Sequence, residues 1–109
     1  MSQVRVDAVR VVVFLSEDDR HHHRSLLETL LARAREQGVI GATVWRAIEG
    51  FGRSGDLRTT RFPDADLGLP LMLEVVDHAD SVDRFIESAL ELAPDAVISR
   101  EPVTLLRLA

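Results

Sequence analysis

The spacing of apolar positions changes several times along the chain, and each change predicts an element. Residues 9–15, VRVVVFL, are β-branched and aromatic and read as a strand. The polar run Ser16-Glu17-Asp18-Asp19-Arg20 ends it, with Asp18 or Asp19 as candidate cap of the next helix. Leu26, Leu27, Leu30, Leu31 and Ala34 then recur at helical spacing through about residue 37. Gly38 followed by Val39 predicts a Schellman-type stop. Residues 42–49, ATVWRAIE, read as a second strand. Residues 69–76, LPLMLEVV, read as a third, with Pro70 tolerable at its first position. Asp77 or Asp80 is placed to cap a second helix. Within it Val82, Phe85, Ile86, Ala89 and Leu90 form one apolar stripe, and Pro94 ends it. Residues 96–99 predict at most a short extra strand, and 103–108, VTLLRL, a clearer one.

The order β-α-β-β-α-β is the ferredoxin-like split βαβ arrangement. It predicts an α+β sandwich: a four-stranded antiparallel sheet with two helices on one face. That leaves a second sheet face to explain. In the first strand Val9, Val11, Val13 and Leu15 share one face, and Arg10, Val12 and Phe14 the other. In the third, Leu71, Leu73 and Val75 oppose Met72, Glu74 and Val76. In the last, Val103, Leu105 and Arg107 oppose Thr104, Leu106 and Leu108. Alternation does not say which set meets the helices, but both are largely apolar. Apolar faces of this extent are seldom left to water. The pattern predicts self-association through the sheet, with Arg10 and Glu74 as a charge pair inside the contact. The alternative is a loop or tail folded over the sheet.

Composition narrows the picture. With 109 residues the chain reads as a single domain, 1–109, with a long loop over 52–68. The absence of cysteine excludes disulfides, a thiol nucleophile and cysteine-ligated metal centres. A net charge of -5 argues against general nucleic-acid binding, which depends on neutralising phosphates. All 13 basic residues are arginine. No run approaches the roughly 20 apolar residues of a membrane span, so direct membrane insertion is not expected. The opening MSQVRVDAV has no long apolar stretch, and the expected location is the cytoplasm.

Candidate chemistry concentrates in the loop. Gly50-Phe51-Gly52-Arg53-Ser54-Gly55 matches the G-x-G-x-x-G spelling of a dinucleotide site. The helix such a site requires is missing, because residues 56–63 have no apolar period and end in Pro63. What remains is a flexible backbone able to offer N–H groups to an anion. Arg53, Ser54, Arg58, Thr59, Thr60 and Arg61 surround it with guanidinium and hydroxyl donors suited to phosphate or carboxylate. The competing reading is a mobile or partner-contacting loop with solvated charges. His21-His22-His23 invites a metal reading, alone or with His78, Asp18 or Asp19. Successive helical positions point about 100° apart, so the three cannot converge on one ion. The bland alternative is a solvated helix start. Ser16, Ser25, Ser54 and Ser81 lack a nucleophile motif. Asp64 and Asp66 are paired acids in the loop, but paired surface acids are common, and no enzyme is expected. Trp45 reads as a core or interface residue, with base stacking as the alternative.

Residues 41–52, GATVWRAIEGFG, resemble the G-A-T-V-x-R-x-I-x-G-F-G signature of the DUF190 (UPF0166) family. Ser16–Asp19 is similar to that family's S/G-E-x-D region, and residues 69–77 to its L-P-x-x-x-E-x-V-D segment. The resemblance spans nearly the whole chain. It implies a subunit similar to the PII signalling and CutA proteins, usually trimeric with the sheets facing inward. Loop 52–68 would then correspond to the PII T-loop. Nucleotides would bind in intersubunit clefts at its base, and a protein partner, a membrane transporter among the candidates, would be met through it. Gly41, Thr43, Arg46, Gly50 and Gly52 match the pattern, adding Arg46, Gly50 and Gly52 to the anion or nucleotide set Arg53, Ser54, Arg58, Thr59 and Arg61. The chain departs from PII proteins after the second helix, where their G-D-G-K segment is replaced by Ala93-Pro94-Asp95-Ala96-Val97. No loop tyrosine exists, and Thr59 and Thr60 stand where DUF190 members often carry a histidine. A CutA-like metal protein using His21–His23, and a small enzyme with a site at the subunit cleft, are the alternatives.

Overall fold

A computed structural model of the chain describes residues 2–61 and 68–108. Strand β1 runs Gln3–Ser16, and a two-residue-per-arm hairpin follows, β2 Arg20–His21 and β3 Arg24–Ser25. Helix α1 spans Leu26–Glu36, strand β4 Gly41–Arg46, and a second small hairpin pairs β5 Glu49–Gly50 with β6 Arg58–Thr59. Strand β7 Pro70–Asp77, helix α2 Ala79–Leu92 and strand β8 Val97–Leu108 complete the order. The main sheet is antiparallel, ordered β4-β7-β1-β8, which is the ferredoxin-like arrangement.

The faces left open by alternation are now assigned. Val9, Val11, Val13 and Leu15 pack with Leu71, Leu73 and Val75 against the helices. Helix α1 contributes Leu26, Leu30 and Ala34, at i, i+4 and i+8, and α2 contributes Val82, Phe85 and Ala89. Leu90, expected in that stripe, is exposed.

The helix ends show which local signals decided. Ser25, not Asp18 or Asp19, caps α1: its Oγ accepts a hydrogen bond from the Glu28 N–H. Asp19 instead takes the Ser16 N–H, closing the turn after β1. The stop at Gly38 (φ +69°) is a full Schellman motif, with Gly38 N donating to Arg35 O and Val39 N to Ala34 O. The α2 cap position falls on His78, whose side chain makes no capping bond. Asp77, expected as a cap, is buried and accepts from its neighbour His78 N and from Ile40 N, tying the α1–β4 connection to the end of β7.

Three strand expectations change. The second strand stops at Arg46, because Ala47 N turns to Pro70 O and residues 49–50 pair with β6 instead. That hairpin also places two strand residues inside the loop predicted over 52–68. The C-terminal strands are one, Val97–Leu108, with no separate short strand. Pro102 sits inside it without breaking it, because β8 is an edge strand and one side of its backbone needs no partner. The first strand is longer than predicted, reaching back to Gln3. Residues 3–8 of β1 pair only with β8, so these two strands project past the sheet as a ribbon.

Candidate functional site

The loop-bearing end of the sheet is organised by Glu17. Its N–H donates to Leu69 O, and its Oε1 accepts from Leu69 N at 2.8 Å. Its Oε2 accepts from Arg46 Nε at 2.8 Å. Arg46 is the last residue of β4, and Leu69 is fully buried just ahead of β7. One carboxylate therefore holds both ends of the excursion between those strands. The Arg46 hydrogen bond pulls the Glu17 carboxyl below the usual carboxylate range, and the Leu69 N–H adds to it, against partial desolvation.

The β5–β6 hairpin forms the stem of the excursion. Thr59 is buried, and its hydroxyl donates to Glu49 Oε1 at 2.8 Å. Arg61 Nε meets the same oxygen at 2.7 Å, and Arg61 N donates to Thr59 Oγ1. Thr60 N and Oγ1 both reach Ile48 O. These groups, candidates for an anion from their type alone, build the stem. A Cβ at Gly50 would meet the Pro70 ring at ordinary van der Waals distance.

Beyond the stem, Gly52, Arg53, Ser54, Asp56 and Arg58 line a cleft of about 460 Å³ against Phe14, Ser16, Asp19 and Gly68. Arg53 is its pivot. Its Nη1 donates to Asp95 O at 3.1 Å, reaching the segment after α2. It makes no ion pair with a carboxylate among the described residues. On its other side Arg53 lines a second cleft of about 400 Å³ with Arg20, Leu92, Pro94 and Val97. The two clefts share Phe14, Leu15, Asp19 and Arg53. Among the eight proposed ligand residues, Gly52, Arg53, Ser54 and Arg58 thus come together at one opening. Arg46, Gly50, Thr59 and Arg61 sit in the stem or in the Glu17 clasp.

The histidines lie elsewhere. His21 ends β2, and His22 and His23 form the turn to β3 with φ of +48° and +69°, the left-handed pair of a two-residue hairpin turn. They precede helix α1 rather than starting it. His78 is at the opposite end of the sheet: the hairpin follows Ser16, paired with Pro70, while His78 follows Asp77, paired with Val9. Seven residue rows at ~3.3 Å each separate those ends within one chain. His21 and His22 therefore cannot share an ion with His78 of the same chain. No group of three or more metal-ligating side chains occurs among the described residues. The paired acids Asp64 and Asp66 lie outside the described residues.

Sequence reasoning about ligands overlooked Glu17, Phe14 and Asp95. Glu17 had a signal, its place in the Ser16–Asp19 segment. Phe14 and the Asp95 carbonyl had none, because only folding brings β1 and the α2–β8 turn to the loop.

The helix-free face adds a row of apolar side chains beside these clefts. Trp45, Met72, Phe14 and Val97 are directly paired neighbours across β4, β7, β1 and β8, and all four are exposed. Further along the same face, with Glu74 two rows and Arg10 four rows from Phe14, Arg10 joins Glu74 through Nε and Glu101 through Nη1, the latter at 2.7 Å. Trp45 Nε1 donates to the other Glu74 oxygen at 2.9 Å. That bond and Arg10 hold the Glu74 carboxyl below its usual range, and the two glutamates raise Arg10.

A comparison with protein families decides the kinship. The DUF190 profile, described as "Uncharacterized ACR, COG1993", matches residues 8–105. The chain belongs to the DUF190 family. A UPF0166 protein of Aquifex aeolicus (strain VF5) is 36% identical over 75 residues, 69% of this chain and 71% of that protein. A UPF0166 protein of Methanocaldococcus jannaschii is 25% identical over 80 residues, 73% of each chain. Among solved structures, CPII of Thiomonas intermedia K12, a nitrogen regulatory PII-like protein bound to ADP, AMP and bicarbonate, superposes with a TM-score of 0.64 at 16% identity. That match covers 94% of this chain and 91% of CPII. This DUF190 chain therefore has the PII-like fold. None of its helices, among the described residues, is long and apolar enough to cross a membrane.

Proposed function

We propose that this DUF190 protein is a non-enzymatic, cytoplasmic regulatory subunit of the PII-like type. It binds a small anion or nucleotide where the two Arg53 clefts meet. It signals to a protein partner through the excursion between β4 and β7. The observation that carries this reading is Arg53 itself. It is a guanidinium facing a cleft on either side, held by one backbone carbonyl rather than by a carboxylate. An incoming phosphate or carboxylate offers it a charge-assisted, bidentate partner that the carbonyl does not. Capturing the ligand would then break the tie to Asp95 and alter how the loop rests on the α2–β8 turn.

Support for the ligand class comes from the shared fold with CPII, whose bound molecules are two adenine nucleotides and a small carboxylate-like anion. Support for a trimer comes from the helix-free face, whose apolar row stays exposed among the described residues. Two such faces meeting would enclose the clefts at their edge.

Isothermal titration with ATP, ADP, AMP, cyclic dinucleotides and bicarbonate tests the sensing part. The expected result is saturable binding of at least one of them that Arg53→Ala abolishes. Absence of binding at millimolar ligand overturns it.

A further inference from the structure

Strand alternation and register put Val4, Val6, Ala8, Arg10, Val12 and Phe14 of β1 on the helix-free face. From β8 the same face carries Val97, Ser99, Glu101, Val103, Leu105 and Arg107. Only the inner part of this surface belongs to the four-stranded sheet, since β7 ends opposite Val9. The rest is the projecting ribbon, where Ala8 faces Val103, Val6 faces Leu105 and Val4 faces Arg107. Its apolar stripe is continuous with the sheet face: Ala8 is buried, Val4, Val6, Val103 and Leu105 are half-buried, and none of them belongs to the helix-side core. A two-stranded ribbon is marginal by itself in water.

Charge is distributed unevenly along that surface. The cluster at its centre holds one arginine and two glutamates, Arg10, Glu74 and Glu101, and so carries a surplus carboxylate. The balancing cation, Arg107, is at the ribbon tip. It is exposed and has no ion pair among the described residues. Six residues of one strand, about 20 Å, keep it from Glu101 of its own chain. The face is neutral as a whole yet cannot neutralise itself locally.

We propose that the ribbon is an intersubunit arm. Its apolar stripe lies across the helix-free face of a second copy of this chain, and Arg107 pairs there with Glu101. The occupant is a second copy because the complement of each half of the surface is the other half: apolar stripe to apolar row, tip cation to surplus carboxylate. Closure of such head-to-tail contacts gives a ring. The proposal rests on the self-association put forward above and specifies its contact.

Because the chain has no cysteine, the contact can be trapped directly. A disulfide needs Cα atoms within about 7 Å, so an E101C/R107C variant cannot close one within a chain. Under mild oxidation the double variant is expected to run as covalent multimers on a denaturing gel. Mixing the two single-cysteine variants is expected to give a mixed dimer. R107E is expected to weaken association about tenfold by light scattering, as reversal of one charge pair would. A wild-type multimer with no cross-link in either experiment overturns the arm while leaving self-association standing. A wild-type mass of one chain, 12.1 kDa, overturns both.

Discussion

Glu17 makes three ties: its carboxylate accepts from the Arg46 guanidinium and the Leu69 N–H, and its own N–H donates to the Leu69 carbonyl. Its titration and that of Glu74 set an acid limit on stability. Both carboxyls are lowered in the folded state, Glu17 first by its Arg46 bond and Glu74 first by its Trp45 bond. Their contribution is present in full above the ordinary carboxylate value of about 4.3 and is lost as pH falls through the depressed folded values. Stability measured by urea unfolding is therefore expected to be level near neutrality and to decline below about pH 5. Glu17→Gln should flatten that decline and lower neutral-pH stability by about 1–3 kcal/mol, because the Arg46 and Leu69 donors lose a charged acceptor. A second test falls on Gly68, whose φ of +36° strains any L side chain and where a Cβ would have to displace the exposed Asp18 carboxylate. Gly68→Ala is expected to cost about 1–3 kcal/mol by the same measurement. Gly38→Ala, which meets open space, should cost only the backbone penalty of about 1–2 kcal/mol.

At the scale of elements, legibility followed the range of the forces involved. The α1 stripe, its Schellman stop and the α2 stripe depend on neighbours within a few residues, and they were readable. Ser25 was also readable in principle. Ser25-Leu26-Leu27-Glu28 has the S-x-x-E spacing of a capping box, a stronger signal than the acids at 18 and 19. Ser25→Ala is expected to destabilise by about 1 kcal/mol, whereas Asp18→Ala should leave α1 intact, as judged by thermal melts and far-UV dichroism. Among the described residues Phe85 is the largest fully buried side chain, and it packs from α2 into the core. Phe85→Ala should cost about 3–5 kcal/mol in urea unfolding. The length of β8 was not readable, because Pro102 looks like a break until the strand is known to lie at an edge. The β5–β6 hairpin was hidden in a stretch rich in Gly, Ser and Arg. Its strands are two residues long, too short for alternation to register.

For the whole molecule, the helix-free face is the feature with the widest consequence. It presents Trp45, Met72, Phe14 and Val97 as one exposed row at the end nearest the Arg53 clefts. A charge set into the middle of that row should oppose burial against another copy. Phe14→Glu is expected to shift the light-scattering mass from about three times 12.1 kDa to one chain. Folding of the monomer should survive, because Phe14 is not part of the helix-side core. Unchanged mass would mean that the copies meet elsewhere. The chemistry of the clefts belongs to this scale as well. Arg53, Phe14 and the Asp95 carbonyl come from three distant stretches of chain.

Periodicity, breakers and composition by themselves determined the α+β class, the ferredoxin-like order, both helices, a sheet with two apolar faces and the concentration of arginine after Gly52. Those properties are local or additive along the chain. Only the tertiary structure decided which sheet face meets the helices, that Thr59 and Arg61 build the stem, that His78 lies far from His21 and His22, and that Arg53 stands between two clefts. Each of those depends on strand register. A pairing choice between segments tens of residues apart moves side chains from one face or one end to another, with no change in the local pattern that sequence displays.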